Sequence, residues 1–121
     1  MKFKEMKILE KRIYEEPSST DGFRILADRL WPRGMKKENA HLDLWAKEIA
    51  PSTELRKIYH GKEIDFEEFR KKYLKELAEN PETKDFLDKI KTQKTVTLLT
   101  SVKEIGISEL PVLKEFIEKN I

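Results

Sequence analysis

The sequence predicts a small α/β fold, a three-layer sandwich in which a short, largely parallel sheet is flanked by helices. Three observations carry this. Two segments near the N-terminus read as strands, as does a β-rich run without charges at 95–100, and helical periodicity fills the interval between them. Strands and helices therefore interleave, which favours a parallel sheet over a bundle. The chain has 121 residues, no cysteine, no internal repeat and no dividing linker, so 1–121 reads as a single domain with one core and no disulfides.

The elements follow in order. Lys7 to Tyr14, with Ile8, Leu9, Ile13 and Tyr14, reads as the first strand. Glu15 to Gly22 is a loop by its turn residues, Pro17-Ser18-Ser19 and Asp21-Gly22. Phe23, Ile25 and Ala27 alternate with Arg24, Leu26 and Asp28, the period of a second strand. The connection is too short for a crossover between adjacent parallel strands, so the pair is either a loose hairpin or parallel with another strand between them. Trp31-Pro32-Arg33-Gly34 ends the strand, since proline removes a donor and glycine permits a turn. Asn39 is expected to cap a helix carrying Leu42, Trp45 and Ile49, stopped at Ala50-Pro51. Ser52 caps a short helix that ends at Gly61. Asp65-Phe66-Glu67-Glu68 has capping-box spacing and opens the clearest helix, with Phe66, Phe69, Tyr73 and Leu77 on one face. Asn80-Pro81 starts a further helix with Phe86, Leu87 and Ile90 inward. Thr95 to Thr100 is the strand expected to be covered on both faces. A last helix follows the loop 101–107, carrying Leu110, Leu113, Phe116 and Ile117.

Composition excludes several classes. The 25 basic and 23 acidic residues leave a net charge of +2, too balanced to announce a nucleic-acid partner. The charged fraction of 40 %, rich in Lys and Glu, resembles a heat-adapted surface. Met1-Lys2-Phe3-Lys4-Glu5-Met6-Lys7 has no apolar run and reads as no signal peptide; no stretch is long enough for a membrane span. A cytoplasmic protein is the expectation. His41 and His60 lie far apart without cysteine, which argues against a metal site. Ser18-Ser19-Thr20 lacks a Gly-rich phosphate pattern and Ser101 lacks a Gly-flanked nucleophile elbow, so no cofactor is expected.

The arginines are the informative residues. Lysines run the length of the chain, whereas Arg12, Arg24, Arg29 and Arg33 crowd into its first third. Segregating Arg from Lys suggests that the planar fork is wanted there, either for ion pairs with neighbouring Asp and Glu or for an anion. In a parallel sheet ligands bind beyond the carboxyl ends of the strands. Those ends carry Arg12 and Tyr14, Asp28 and Arg29, and Ser101 and Lys103. Arg29 and Arg33 could face one anion with Trp31 as an apolar wall, while Asp28 orients an arginine or serves as a base; Arg56 joins this set. The bland alternative makes Trp31 core, pairs Arg29 with Asp28 or Asp21, and leaves Arg33 in solvent.

Asp21-Gly22-Phe23-Arg24-Ile25-Leu26, Asp28-Arg29-Leu30-Trp31-Pro32-Arg33-Gly34, Leu42-Asp43-Leu44-Trp45 and Glu48-Ile49-Ala50-Pro51-Ser52-Thr53-Glu54-Leu55-Arg56 resemble the YeaO-like family, a family of domains of unknown function. The likeness continues through Phe69-Arg70, Tyr73 and Thr97-Leu98-Leu99. It implies a compact intracellular α/β domain without an established activity. The resemblance also implies an Asn-His pair opening the last helix, where this chain has Ser108-Glu109. A histidine there could act as acid or base, whereas Glu109 would repel an anion from the helix N-terminus. Either the site is inactive or altered, or Glu109 pairs with an arginine and closes it.

Three readings result. The first is a domain binding a small phosphate- or carboxylate-bearing ligand, with Arg12, Asp28, Arg29, Trp31, Arg33, Arg56, Ser101, Lys103 and Glu109 as candidate contacts. The second is an interaction or structural protein without a ligand site, in which Trp31 and Trp45 serve the core or a homodimer contact. The third is a nucleic-acid-binding module.

Overall fold

The computed structural model describes residues 5–121; Met1–Lys4, the start of the segment read as lacking a leader, lie outside the described residues. Four strands form one sheet: β1 (Lys7–Arg12), β2 (Phe23–Leu26), β3 (Leu44–Trp45) and β4 (Thr95–Thr100). Their order is β1-β4-β2-β3 and every pairing is parallel. The last strand in sequence thus lies between the first two, which settles the choice between hairpin and parallel pair. Position explains composition. β4 has a neighbour on each side and layers above and below, so Val96 to Thr100 is fully buried and carries no charge.

The two faces of the sheet are covered unequally. Ile8, Ile25, Ala27, Val96 and Leu98 point to the main core, formed with α2 (Thr53–His60), α3 (Phe66–Glu79), α4 (Thr83–Ile90) and α5 (Glu109–Asn120). Leu26 and Leu99, one residue out of phase, point the other way with Ile13 and meet Ala40, Trp31, Met35, Leu42 and Trp45. That second layer is a loop and a one-turn helix, α1 (Lys37–Ala40), so the sandwich is lopsided. Asp21, Arg24 and Thr97 are buried polar residues tied to one another and to this layer. Arg24 of β2 donates to Asp21 at 2.5 Å and to the Ala40 and His41 carbonyls at 2.9 and 3.1 Å, closing the C-terminus of α1. The Thr97 hydroxyl donates to the Asp21 carbonyl at 2.6 Å.

The expected helix from Asn39 through Ile49 does not form. His41 takes a left-handed conformation that ends α1, and Leu44–Trp45 becomes the edge strand β3, followed by a 3-10 turn over Lys47–Ile49. Tertiary bonds decide this. Arg24 N–H donates to the Asp43 carboxylate at 2.8 Å, Asp43 N–H to the Arg24 carbonyl at 2.9 Å, and Ala46 N–H to the Leu26 carbonyl at 2.9 Å. The edge of β2 thereby claims backbone groups that a helix would have paired internally. Helices α2, α3 and α5 start where side-chain caps require. Ser52 accepts from Leu55 N–H, Asp65 from Glu68 N–H, and Ser108 from Leu110 N–H. At 80–83, Asn80 accepts from Glu82 N–H at 2.8 Å through its side chain, but α4 begins only at Thr83, after a turn. Likewise β1 ends at Arg12, two residues before the expected Tyr14.

Candidate functional site

A cavity of about 520 Å³ opens beyond the carboxyl ends of β2 and β4, where parallel α/β sheets hold their ligands. Its volume is within the ordinary range for small-molecule sites, roughly 300–1,000 Å³. Three segments build it: Asp28–Arg33 after β2, Ser101 to Glu109 after β4, and the stretch from Pro51 to Ile64 running through α2. Pro32 and Gly34, the latter at φ +81°, turn the first of these back across the sheet end.

Burial sorts the lining into floor, wall and mouth. Glu109, Ser108, Pro51 and Phe69 are buried; Trp31, Tyr59, Ile64, Ser101 and Val102 are half-buried; Arg33, His60 and Lys62 are exposed. Leu30 and Ile107 form an apolar lip, 64 % and 48 % exposed. Two aromatic groups shape the walls. Tyr59 stacks on Phe69 with ring centroids 4.3 Å apart, and its hydroxyl donates to the Ile107 carbonyl at 2.8 Å. Trp31 meets Trp45 edge-on at 5.2 Å and donates its indole N–H to the Met35 carbonyl at 2.7 Å.

The floor is acidic. Asp28 accepts from the Thr100 hydroxyl at 2.7 Å, Ser101 N–H at 2.8 Å and the Ser101 hydroxyl at 2.6 Å. Its carbonyl accepts from the Trp45 indole at 2.7 Å. This one residue therefore joins the ends of β2, β3 and β4. Glu109, the first residue of α5, is 7 % exposed, and its Oε2 has no hydrogen-bond partner among the described residues. Burial, followed by the neighbouring Asp28, holds the Glu109 carboxyl well above its ordinary value of 4.5, so it is neutral under conditions in which a free glutamate is ionised. Tyr73 lies beneath, fully buried, its hydroxyl donating to the Ile49 carbonyl at 2.8 Å.

The arginines divide. Arg29 lines the cavity, yet its Nε and one terminal nitrogen donate to the Pro51 and Ala50 carbonyls at 3.0 and 2.8 Å. It straps the α2 entry to the end of β2 and pairs with neither Asp28 nor Asp21. Arg33 and Arg56 also line the cavity, and among the described residues their guanidinium groups have no ion pair. Two of the predicted contacts lie outside it. Arg12 donates to the Ser101 and Val102 carbonyls at 3.1 and 3.2 Å and covers the Tyr14 ring, so it buttresses the loop after β4 from behind. Lys103 is exposed and is not among the lining residues. Asp28, Arg29, Trp31, Arg33, Arg56, Ser101 and Glu109 do share the one cavity, and Glu109 meets Asp28 instead of an arginine. Sequence reasoning missed Tyr59, Phe69, His60 and Lys62, because helical spacing marks the aromatics as core and the cations as solvated.

The family model of the inactive DUF488-N3 subclade matches residues 7–121. The chain is 46 % identical over 112 residues to the uncharacterised protein YeaO of Escherichia coli, a match covering 93 % of this chain and 97 % of that protein. It is 33 % identical over 114 residues to uncharacterised proteins of Mycobacterium bovis and Mycobacterium tuberculosis, covering 94 % of this chain and 96 % of each relative. No solved structure matches it significantly.

Proposed function

This chain belongs to the DUF488-N3i family of YeaO-like domains of unknown function, and on that premise we propose that it is a binding domain for a small phosphate- or carboxylate-bearing ligand. The observation that carries the reading is the pair of uncommitted guanidinium groups, Arg33 and Arg56, at one cavity beyond the strand ends. Arginine forks with no partner among the described residues, beside an apolar wall, suit bidentate capture of an anion. His60 and Lys62 add to the positive mouth, and Arg29 contributes field while its donors hold the Ala50-Pro51 carbonyls.

Binding without turnover is favoured by the floor. Asp28 already accepts three hydrogen bonds, and the Glu109 carboxyl keeps its proton, so neither is a free base. The family's description as inactive agrees with this.

The test is thermal unfolding with inorganic phosphate, phenyl phosphate and benzoate, in the native protein and in an Arg33→Ala/Arg56→Ala variant. A ligand at about ten times its Kd stabilises the native state by about 1.4 kcal/mol, a Tm rise of roughly 3–6 °C for a chain of this size. The rise should vanish in the double variant, whose own Tm stays within about 1–2 °C of the native value because these side chains tie nothing together. No response to any of the three anions would overturn the proposal.

A further inference from the structure

We propose that the cavity selects anionic amphiphiles, ligands that keep one phosphate or carboxylate at the mouth and place a body without hydroxyl or amino groups inside. Sugar phosphates and other polyhydroxylated anions are disfavoured. This rests on the anion-binding reading and adds to it the class of the ligand's body.

The polar side chains inside the cavity are already bonded within the protein. Asp28 accepts from the Thr100 hydroxyl and from the Ser101 amide and hydroxyl. Ser108 donates to the Ile105 carbonyl at 2.7 Å and accepts from Leu110 N–H at 3.1 Å. The Tyr59 hydroxyl and the Trp31 indole donate to the main-chain carbonyls of Ile107 and Met35, and Arg29 holds those of Ala50 and Pro51. Oε2 of Glu109 lacks a partner among the described residues, but it is wholly buried and offers a ligand nothing. A hydroxyl-bearing body would therefore give up its water on entering and meet few free partners, a loss for every group left unpaired.

The rest of the lining is apolar and continues to the rim. Trp31, Pro51, Ile64, Phe69 and Val102 form the walls. Leu30 and Ile107, on the loops after β2 and β4, are 64 % and 48 % exposed and line the same opening. Large aliphatic side chains held in water at the rim of a concave apolar surface mark a ligand groove, where a lone exposed leucine would not. The free basic groups stand at the mouth. Arg33, His60 and Lys62 are exposed and Arg56 is half-buried, and none of the four has an ion pair among the described residues. An anion is stabilised there and is repelled by the Asp28 carboxylate at the floor, so the head stays outward and the body points in.

The test is calorimetric titration with four phosphates: inorganic phosphate, glucose 6-phosphate, hexyl phosphate and 2-naphthyl phosphate. The better of the hexyl and naphthyl esters should bind at least about tenfold more tightly than inorganic phosphate, from the apolar area it buries, and which of the two it is tells a chain from a ring. Glucose 6-phosphate should bind no more tightly than inorganic phosphate. A Leu30→Ser/Ile107→Ser variant, altered only at exposed side chains, should weaken the better ester by about three- to tenfold and leave inorganic phosphate within about twofold. Esters no tighter than inorganic phosphate, or glucose 6-phosphate equal to the better ester, would overturn the selection for an apolar body while the anion site stands. So would a lip variant that leaves the better ester unchanged or weakens both phosphates alike. If no phosphate binds at all, both readings fall. Should the lip variant not fold, the native series decides alone.

Discussion

Replacing Glu109 by glutamine is the most searching perturbation of this fold, because its effect depends on pH with a known sign. In the native state burial and the neighbouring Asp28 keep the carboxyl protonated well above 4.5, whereas in the unfolded chain it titrates near that value. A group whose native pKa is raised contributes stability that is complete below its unfolded pKa and is lost as pH rises toward the native one. The loss within that window is about 1.4 kcal/mol per pH unit. Glutamine cannot titrate, yet its amide can donate to Asp28 in place of the carboxyl proton of Glu109. The stability difference between Glu109→Gln and native protein should therefore be small at pH 4.5 and grow in favour of glutamine by about 1.4 kcal/mol per unit above it, levelling once native Glu109 ionises. Urea unfolding at 25 °C, at four pH values from about 4.5 to 7.5, measures it. The other shifted carboxyls, Glu10 upward by burial, Asp21 downward, its burial outweighed by hydrogen bonds from Ser18, Lys11 and Arg24, and Asp88 and Glu115 downward through their lysine and arginine partners, are present in both proteins and cancel in the difference. A difference that is flat across the range would refute the argument, since it would mean that Glu109 is ionised in the folded protein.

Three further substitutions probe the frame around the cavity. Gly22 sits at φ +66° on the way into β2, and a Cβ there would lie 2.3 Å from the Thr95 carbonyl oxygen; Gly22→Ala should cost more than about 2 kcal/mol, read by thermal unfolding. Arg24→Ala leaves the buried Asp21 carboxylate with Lys11 as its remaining cation and strands the C-terminal carbonyls of α1, so it should cost less than the roughly 3–5 kcal/mol of breaking a buried pair outright, and a double-mutant cycle with Asp21→Asn should show coupling in urea unfolding. Ser52→Ala removes the cap of α2 and also the hydroxyl that donates to Glu76 at 2.5 Å, leaving only the backbone N–H on that carboxylate, so it should exceed the roughly 1 kcal/mol of a cap alone and exceed Asp65→Ala in the same assay.

The sheet was legible in the sequence to the extent that local pattern and chain length constrain it. The short connection between β1 and β2 left only two arrangements, and the charge-free run at 95–100 is the strand that separates them. Capping residues located the starts of α2 and α3, since a side-chain oxygen three residues ahead of an unpaired N–H is a local signal, whereas the Ser108 cap of α5 went unread. Residues 39–49 misled because the spacing of Leu42, Trp45 and Ile49 suits a helix, while the bonds that decide the matter, from Arg24 and Leu26, come from β2. For the site, parallel strand ends correctly pointed to Asp28, Arg29 and Ser101 as neighbours. Position in sequence could not distinguish the side of the sheet end on which Arg12 lies, nor reveal that the carboxylate nearest Glu109 is Asp28.

The arginines show most clearly why a site cannot be counted from composition. Four of the six are spent on the fold. Arg24 closes α1 from inside, Arg29 holds the Ala50-Pro51 carbonyls, Arg12 holds those of Ser101 and Val102, and Arg70 of α3 bonds Glu115 of α5 at 2.9 and 2.6 Å. Each occupies acceptors that the chain itself supplies, so an added anion would have to compete with them. Among the described residues Arg33 and Arg56 have no such acceptor, and they come to one opening from segments that are distant in sequence. The fold-bound arginines are what allow this. Arg12 and Arg29 pin the two loops and the α2 entry that form the cavity walls, so the free pair is carried on fixed backbone. Removing a fold-bound arginine should therefore weaken ligand binding and stability together. Removing Arg33 or Arg56 should weaken binding alone, and that separation distinguishes a ligand site from a surface that merely happens to be rich in arginine.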